Sequence, residues 1–598
     1  MTREVITLQL GNFANHVGAH YWNIQDELLG LQEQQGAQGP AAQIDSNVLY
    51  RQGETLHGEG TYTPRLVMWD LSGALGGVSA GGSLYRDSGH GLDVVSTWGG
   101  RQEVHRAAAV PKSAFATELE QEAERQEAEG AQGELSALEA AAQQLEGGSS
   151  GSGQASGSSG GGVRYFTDYL KAHLHPRSVQ QLPGVWHGLT AFGGWGDAGQ
   201  HCRVEDEVEG MLERIRWFAE ESDHLSGFQA LADDLSGWGQ LTAQVLQEVR
   251  DEYGGNRPIM LYAVRPAAVP AGGGEADPAA RRRRQLNQAL CLSLLAPHCS
   301  TYTVVAPPTS PAALPLLRWQ PASLYHASAL CAAALDTATL AYRLAQAEGP
   351  DAPLGRTDMW GLSELLTGQR ASPLAALSLS LPCPPLPADA QRQAQQADAR
   401  SERVRGSSQA DTGISGGSSS SGGRPFTTRW LASLTPGVAA AGGDEGRFTE
   451  AVVLRGAHVA GTVLRVDAAA TGLSAALAQE QHRCLQHCTV TAAPLPVPLP
   501  FPHIFARGVS RHGDGPPAGV ALGGGGCQDV ASCPVLTRHS GTSAFRGVVA
   551  AAQREFRVAA GAGQGQATLE SWGYGQEELA DIQERLSNLA RAYDNDDV

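Results

Sequence analysis

The first thirty residues constrain the fold most. Ile6, Leu8 and Leu10 alternate with Thr7 and Gln9, the two-residue period of a β-strand. Gly11 ends the strand. From about Asn15 to Leu29 the period changes, with Val17, Tyr21, Ile24 and Leu28 along one side of a helix. A strand that ends in glycine and turns into a helix N-terminus brings free backbone N–H groups to one point, a general way to cradle phosphate. One such site is a weak signal by itself.

The alternation of strand and helix continues. Leu66–Leu71 reads as a strand, followed by a Gly-rich loop, Ser72–Gly82. Val204, Val208, Met211, Leu212, Ile215 and Phe218 have helical spacing, as do Leu241, Val245, Leu246, Val249 and Tyr253. Ile259–Val264 and Thr301–Val305 are the next strand candidates, and Leu324–Leu344 a further helix. This order predicts an α/β fold with a largely parallel sheet flanked by helices.

A chain of 598 residues exceeds one ordinary core, which stops growing at roughly 250–300 residues. Composition marks the divisions. Phe115–Leu145 is rich in Ala, Gln and Glu and could form a solvated helix, but has few large apolar residues to dock, and Gly147–Gly162 is almost pure Gly and Ser, a flexible-linker composition. Beyond about Ser372 the texture changes, with a second Ser/Gly tract and a Pro-rich stretch, Pro494–Pro502. Strand-like runs occur at Glu450–Leu454 and Gly461–Val466, and Leu579, Ile582, Leu586, Leu589 and Tyr593 form a closing amphipathic stripe. The predicted organisation is an N-terminal segment 1–114, a disordered low-complexity insertion 115–162, a second segment 163–372, and a C-terminal α+β region 373–598 interrupted by the linker 407–423.

The formal net charge of −19 argues against a broad nucleic-acid surface, which needs a contiguous basic face. One basic run, Arg281–Arg284, reads as an exposed loop or helix start, or else a contact for acidic headgroups or an acidic partner. Nine dispersed cysteines fit a reducing compartment. No signal or transit composition opens the chain and no run of about 18 apolar residues occurs, so peripheral membrane association at most is expected.

The exact string at the first loop adds to this. Gly11-Asn12-Phe13-Ala14-Asn15-His16-Val17-Gly18-Ala19-His20-Tyr21-Trp22 resembles the first nucleotide loop and helix of tubulin; Gly11, Asn15, Gly18, Ala19 and Trp22 keep the pattern, while Asn12, Phe13 and Ala14 depart from it. Further matches follow in order at Arg65–Leu71, Glu207–Gly210, Ser222–Gln229 and Gln247–Tyr253. Where tubulins carry a glycine-rich phosphate loop, this chain has Asp233-Asp234-Leu235-Ser236-Gly237-Trp238-Gly239-Gln240: two acids that would repel phosphate, and a bulky ring. Where tubulins place an acid that acts on the next subunit's nucleotide, Leu365–Pro373 offers none. A kept N-terminus, lost loops, a long insertion, and the strings His173–Ser178 and Phe501–Phe505 together resemble the Misato family of diverged tubulin-like proteins.

That resemblance implies a tubulin-like fold and a non-catalytic role in mitochondrial distribution, morphology and inheritance of mitochondrial DNA. It implies protein partners at the mitochondrial surface, with tubulin or chaperonin as further candidates, and residence in the cytoplasm and, peripherally, on the outer membrane. Gly11, Asn12, Asn15, Gly18, Asp70, Ser236, Gly237 and Gly239 are the residues of a degenerate nucleotide site; no cofactor is expected, with GTP as the alternative. A GTP-binding cytoskeletal switch and a cofactor of tubulin folding are the competing functions. His482, Cys484, His487 and Cys488 could hold a metal, but ordinary helical thiols and imidazoles are the plainer reading.

Overall fold

The computed structural model describes residues 3–36, 39–54, 60–77, 110–129, 135–146, 162–267, 277–349, 351–368, 372–385, 430–439, 446–459, 462–480, 484–515, 523–527, 529–561 and 563–593. Nearly all of both Ser/Gly tracts and the second half of the Ser72–Gly82 loop lie outside them.

One sheet organises the molecule. From edge to edge its strands are Leu485–Thr491, Arg447–Arg455, Val535–Thr542, Leu374–Ser380, Thr301–Val305, Ile259–Val264, Leu225–Ala232, Glu4–Leu10, Leu66–Ser72 and Val179–Trp186. The seven strands from Leu374–Ser380 to Val179–Trp186 are mutually parallel. Val535–Thr542 then runs antiparallel to both of its neighbours, and Leu485–Thr491 lies parallel to Arg447–Arg455. The first strand is interior, third from one edge, and every one of its residues is buried; its Thr7 is satisfied internally, Gln229 Nε2 donating to Thr7 Oγ1 at 2.7 Å and Tyr342 Oη to Gln229 Oε1 at 2.7 Å.

One face of the sheet is covered by the first helix (Asn12–Gln35) and the helix Leu324–Ala338. The helices Val204–Glu220, Gly237–Tyr253 and Pro278–Leu294 cover the other, with the C-terminal helices Phe545–Gly561 and Gln576–Arg591. The Leu579, Ile582 and Leu586 stripe is buried in that second core.

Four expectations change. The boundary at 372/373 falls inside the continuous sheet, because the strands at 447–455, 485–491 and 535–542 extend it. Within 115–162, helices form at Ala114–Glu129 and Leu135–Glu146. Phe115, Leu138, Ala141, Ala142 and Leu145 are buried in the main core, so a few apolar residues on one face suffice to dock the pair. The strand expected over Gly461–Val466 shortens to Thr462–Val463, paired with His458–Val459; Gly461 lies outside the described residues, and a helix starts at Val466. Cys488 and His487 lie on a strand, not a helix, with Cys484 just before it; Cys527 pairs as backbone in the short strand Gly523–Cys527. Among the described residues no group of three potential metal ligands comes together, and no helix is long and apolar enough to cross a membrane.

A buried ionic hub ties the C-terminal strands to the rest. Asp336 contacts Arg343 and Arg455, and Gln25 of the first helix donates to Asp336 Oδ1 at 2.5 Å. Arg343 Nη1 donates back to Gln25 Oε1 at 2.7 Å. Burial alone would push the Asp336 carboxyl up, but the two guanidiniums outweigh it and hold it below the usual carboxylate range.

Candidate functional site

The cradle lies at the C-terminal end of the first strand, where parallel α/β sheets place ligands. Gly11 adopts φ 106°, a conformation that favours glycine, and turns the chain directly into the first helix. Its N–H donates to Trp69 O at 3.0 Å and its carbonyl accepts from Asn15 N at 2.9 Å. The helix start therefore projects its free amides beside the end of the neighbouring strands.

One of those amides already has a protein partner. Phe13 N–H donates to Asp233 Oδ2 at 2.9 Å. A Cβ on Gly11 would stand 2.7 Å from Asp233 Cβ and 2.8 Å from Trp238 Cδ1, so side chains of the second loop fill the space that glycine opens. Trp238 is buried, packed edge-on against Trp69 at 5.8 Å and Phe192 at 5.3 Å between ring centroids. Burial pushes the Asp233 carboxyl up to about 8; the Phe13 N–H pulls it down, while Asp70 and Asp234 raise it further. At neutral pH the carboxyl that caps the helix is mostly protonated.

The second loop is closed as well. Ser236 caps the helix Gly237–Tyr253 by accepting from Trp238 N at 3.3 Å. Gly237 N donates to Phe192 O at 3.1 Å, and Cβ atoms on Gly237 and Gly239 would stand 2.8 Å and 2.7 Å from the Phe192 and Trp195 rings. Trp195 is held over this helix start by Asn287, whose Oδ1 accepts from Trp195 N at 3.0 Å and whose Nδ2 donates to Leu235 O at 2.8 Å. The residues present do not fit a nucleotide's phosphates: both helix starts that would receive them are occupied by this chain's own groups.

The two aspartates behave differently. Only Asp233 faces the cradle. Asp234 turns into the core, where Arg265 grips it with bonds of 2.9 and 2.6 Å and Tyr302 Oη donates to it at 2.7 Å. The expected double repulsion of phosphate is therefore a single carboxyl, mostly uncharged near pH 7.

Of the expected residues, Gly11, Asn12, Asn15, Asp70, Ser236, Gly237 and Gly239 do converge around this closed cradle. Asn15 Nδ2 donates to Asp70 Oδ2 at 2.8 Å and Leu71 N to Asp70 Oδ1 at 2.8 Å; burial nevertheless lifts the Asp70 carboxyl to about 6. Gly18 stands apart: its missing side chain makes room for Gln9 of the first strand, a packing role. Sequence reasoning missed Phe192, Trp195 and Asn287. The visible signal was Phe192-Gly193-Gly194-Trp195-Gly196, aromatic residues set among glycines just before a helix. The carboxylate sought within 365–373 is absent there among the described residues; Asp358, at the start of the helix Met359–Thr367, accepts from Gly361 N at 2.7 Å and pairs with Arg3.

Comparison with known sequences places this geometry. A family model described as the Misato Segment II tubulin-like domain matches residues 3–121, and one described as a tubulin domain matches residues 155–344. A Bos taurus protein named Protein misato homolog 1 is 30% identical over 647 residues, covering 100% of this chain and 98% of its own length. Its Homo sapiens counterpart of the same name is 34% identical over 365 residues, 57% of this chain and 60% of its own. Protein dml1 of Aspergillus clavatus is 31% identical over 349 residues, again 57% of this chain and 60% of its own.

Proposed function

The chain belongs to the Misato family of tubulin-like proteins, and from that premise we propose that it acts without catalysis in mitochondrial distribution, morphology and inheritance of mitochondrial DNA. In this reading it works through protein partners at the mitochondrial surface, from the cytoplasmic side and as a peripheral protein. The observation that carries the non-catalytic part is the Phe13–Asp233 bond: the amide a phosphate would need is already used, under a layer of buried tryptophan. GTP is not a cofactor on this view, and the tubulin fold supplies a rigid surface.

The test is mass spectrometry of small molecules released from the purified native protein, beside pelleting with GTP and Mg²⁺. Neither nucleotide nor filaments are expected. Stoichiometric GDP or GTP, or GTP-dependent filaments in negative stain, would replace this reading by that of a cytoskeletal switch. The mitochondrial part is tested separately. Added protease should digest the protein on intact mitochondria, and carbonate should release it; protection from protease overturns the location.

A further inference from the structure

Away from the cradle, at the N-terminal ends of the strands, two arginines lie over one tryptophan and a third is bonded beside them. Trp217, on the helix Val204–Glu220, has the Arg51 guanidinium carbon 5.0 Å and that of Arg177 5.2 Å from its ring centroid. His175 stacks on it at 4.5 Å, with the planes 14° apart. Arg214, one turn back along the same helix, donates to Arg177 O at 3.1 Å. Arg51 is oriented by a two-pronged contact with Glu221. His175 and Arg177 belong to the His173–Ser178 string, which the closed cradle does not involve.

The charges do not balance. Glu221 is the one carboxylate that ion-pairs within this group, and it serves Arg51; among the described residues neither Arg177 nor Arg214 has an ion pair. Arg214 turns Nη1 to the Pro176 and Arg177 carbonyls, and burial together with Arg177 lowers its pKa. His175 adds no charge: burial, Arg51 and Arg177 lower it to about 4, and its Nδ1 accepts from Arg177 N at 3.2 Å. The repulsion between Arg177 and Arg214 is offset only in part, by the Trp217 ring and backbone carbonyls. Planar guanidinium groups fixed by an aromatic ring and a carboxylate are ready to receive an oxyanion by paired N–H donors.

We propose that Arg51, Arg177 and Arg214 around Trp217 form a recognition site for an acidic or phosphorylated segment of a partner protein. A narrow peptide fits better than an anionic bilayer, because the same helix carries Glu205, Asp206, Glu207, Glu209 and Glu213, whose charges would repel a broad anionic plane. The site does not depend on whether the cradle binds nucleotide, or on where in the cell the protein acts.

The test uses the full chain and a fluorescein-labelled acidic decapeptide carrying one phosphoserine, read by fluorescence anisotropy at low salt. Binding should weaken as salt rises, and Arg177→Ala should weaken it about tenfold or more, the loss of a charge-assisted contact. Arg216→Ala removes the same charge from the helix that carries Trp217, but from a side chain engaged with Glu209 and Glu252; it should change affinity less than about twofold. Arg177 is exposed, so unchanged thermal unfolding of its variant separates lost binding from lost fold. Equal losses in the two variants, or no binding to the peptide, overturn the proposal. So does Arg177-dependent binding to phosphatidylserine vesicles in place of the peptide, or inorganic phosphate binding as tightly as the peptide.

Discussion

Asp233 in the cradle and Asp336 in the hub are both buried carboxyls near the first helix, and they are neutralised by opposite means. Asp336 keeps its charge between Arg343 and Arg455. Asp233 faces an amide, two other acids and a wall of indoles, and is neutralised by holding its proton. The hub joins three distant stretches of chain and tolerates little change. The cradle also joins distant stretches, Phe13 to Asp233 and Phe192 to Gly237, but with neutral groups rather than an ion cluster.

The contrast can be broken most directly at the hub. Asp336→Asn leaves two buried guanidiniums without a counter-charge and should cost about 3–5 kcal/mol, read as a lower urea midpoint. A loss below about 1 kcal/mol would mean the arginines find other partners. Gly11→Ala comes next: it forces a side chain into φ 106° against Asp233 and Trp238, and should cost about 2–3 kcal/mol in the same assay.

Asp233→Asn should act in the opposite direction. With a folded pKa of about 8 against 3.8, the native state holds a proton that the unfolded chain has released, so the native state is increasingly disfavoured as pH rises from about 4 to 8. An amide keeps the acceptor for Phe13 and removes that penalty. The variant should be more stable by about 1–2 kcal/mol at pH 8, with the gain vanishing near pH 4. A pH-independent difference would refute the protonated plug.

The acid limb has the other sign. His16, His20 and His539 are lowered to about 3, chiefly by burial. Their contribution is complete above the unfolded pKa of 6.5 and is lost as pH falls toward 3, in wild type and in Asp233→Asn alike. The smallest effect is on the helix that links the two regions. Gly30 has open space where a Cβ would stand, and Gly30→Ala should stabilise by about 0.5–1 kcal/mol.

The sequence read well where one element obeys one period. Ile259–Val264 and Thr301–Val305 form over the predicted residues, as does the stripe from Leu579 to Leu586. It read poorly where partners are far apart in the chain. Nothing in the spacing of Asp233 and Asp234 shows that Arg265 and Tyr302 take one of them and Phe13 the other. The insertion helices looked undockable by composition, yet Glu146 also anchors them, accepting from His503 N at 2.7 Å and lying 3.2 Å from His326 Nε2. Asn12, Asn15 and Asp70 were legible through their family pattern, whereas Phe192 and Trp195 arrive from a segment that the pattern does not include.

The interior position of the first strand sets a schedule for synthesis. Glu4–Leu10 pairs with Leu66–Ser72 on one side and Leu225–Ala232 on the other. A ribosome adding about 5–20 residues per second makes the second neighbour roughly ten to forty seconds after the first strand. Throughout that interval seven residues destined for complete burial have an open edge. A chain truncated before Leu225 should keep that edge open and aggregate where the full chain does not.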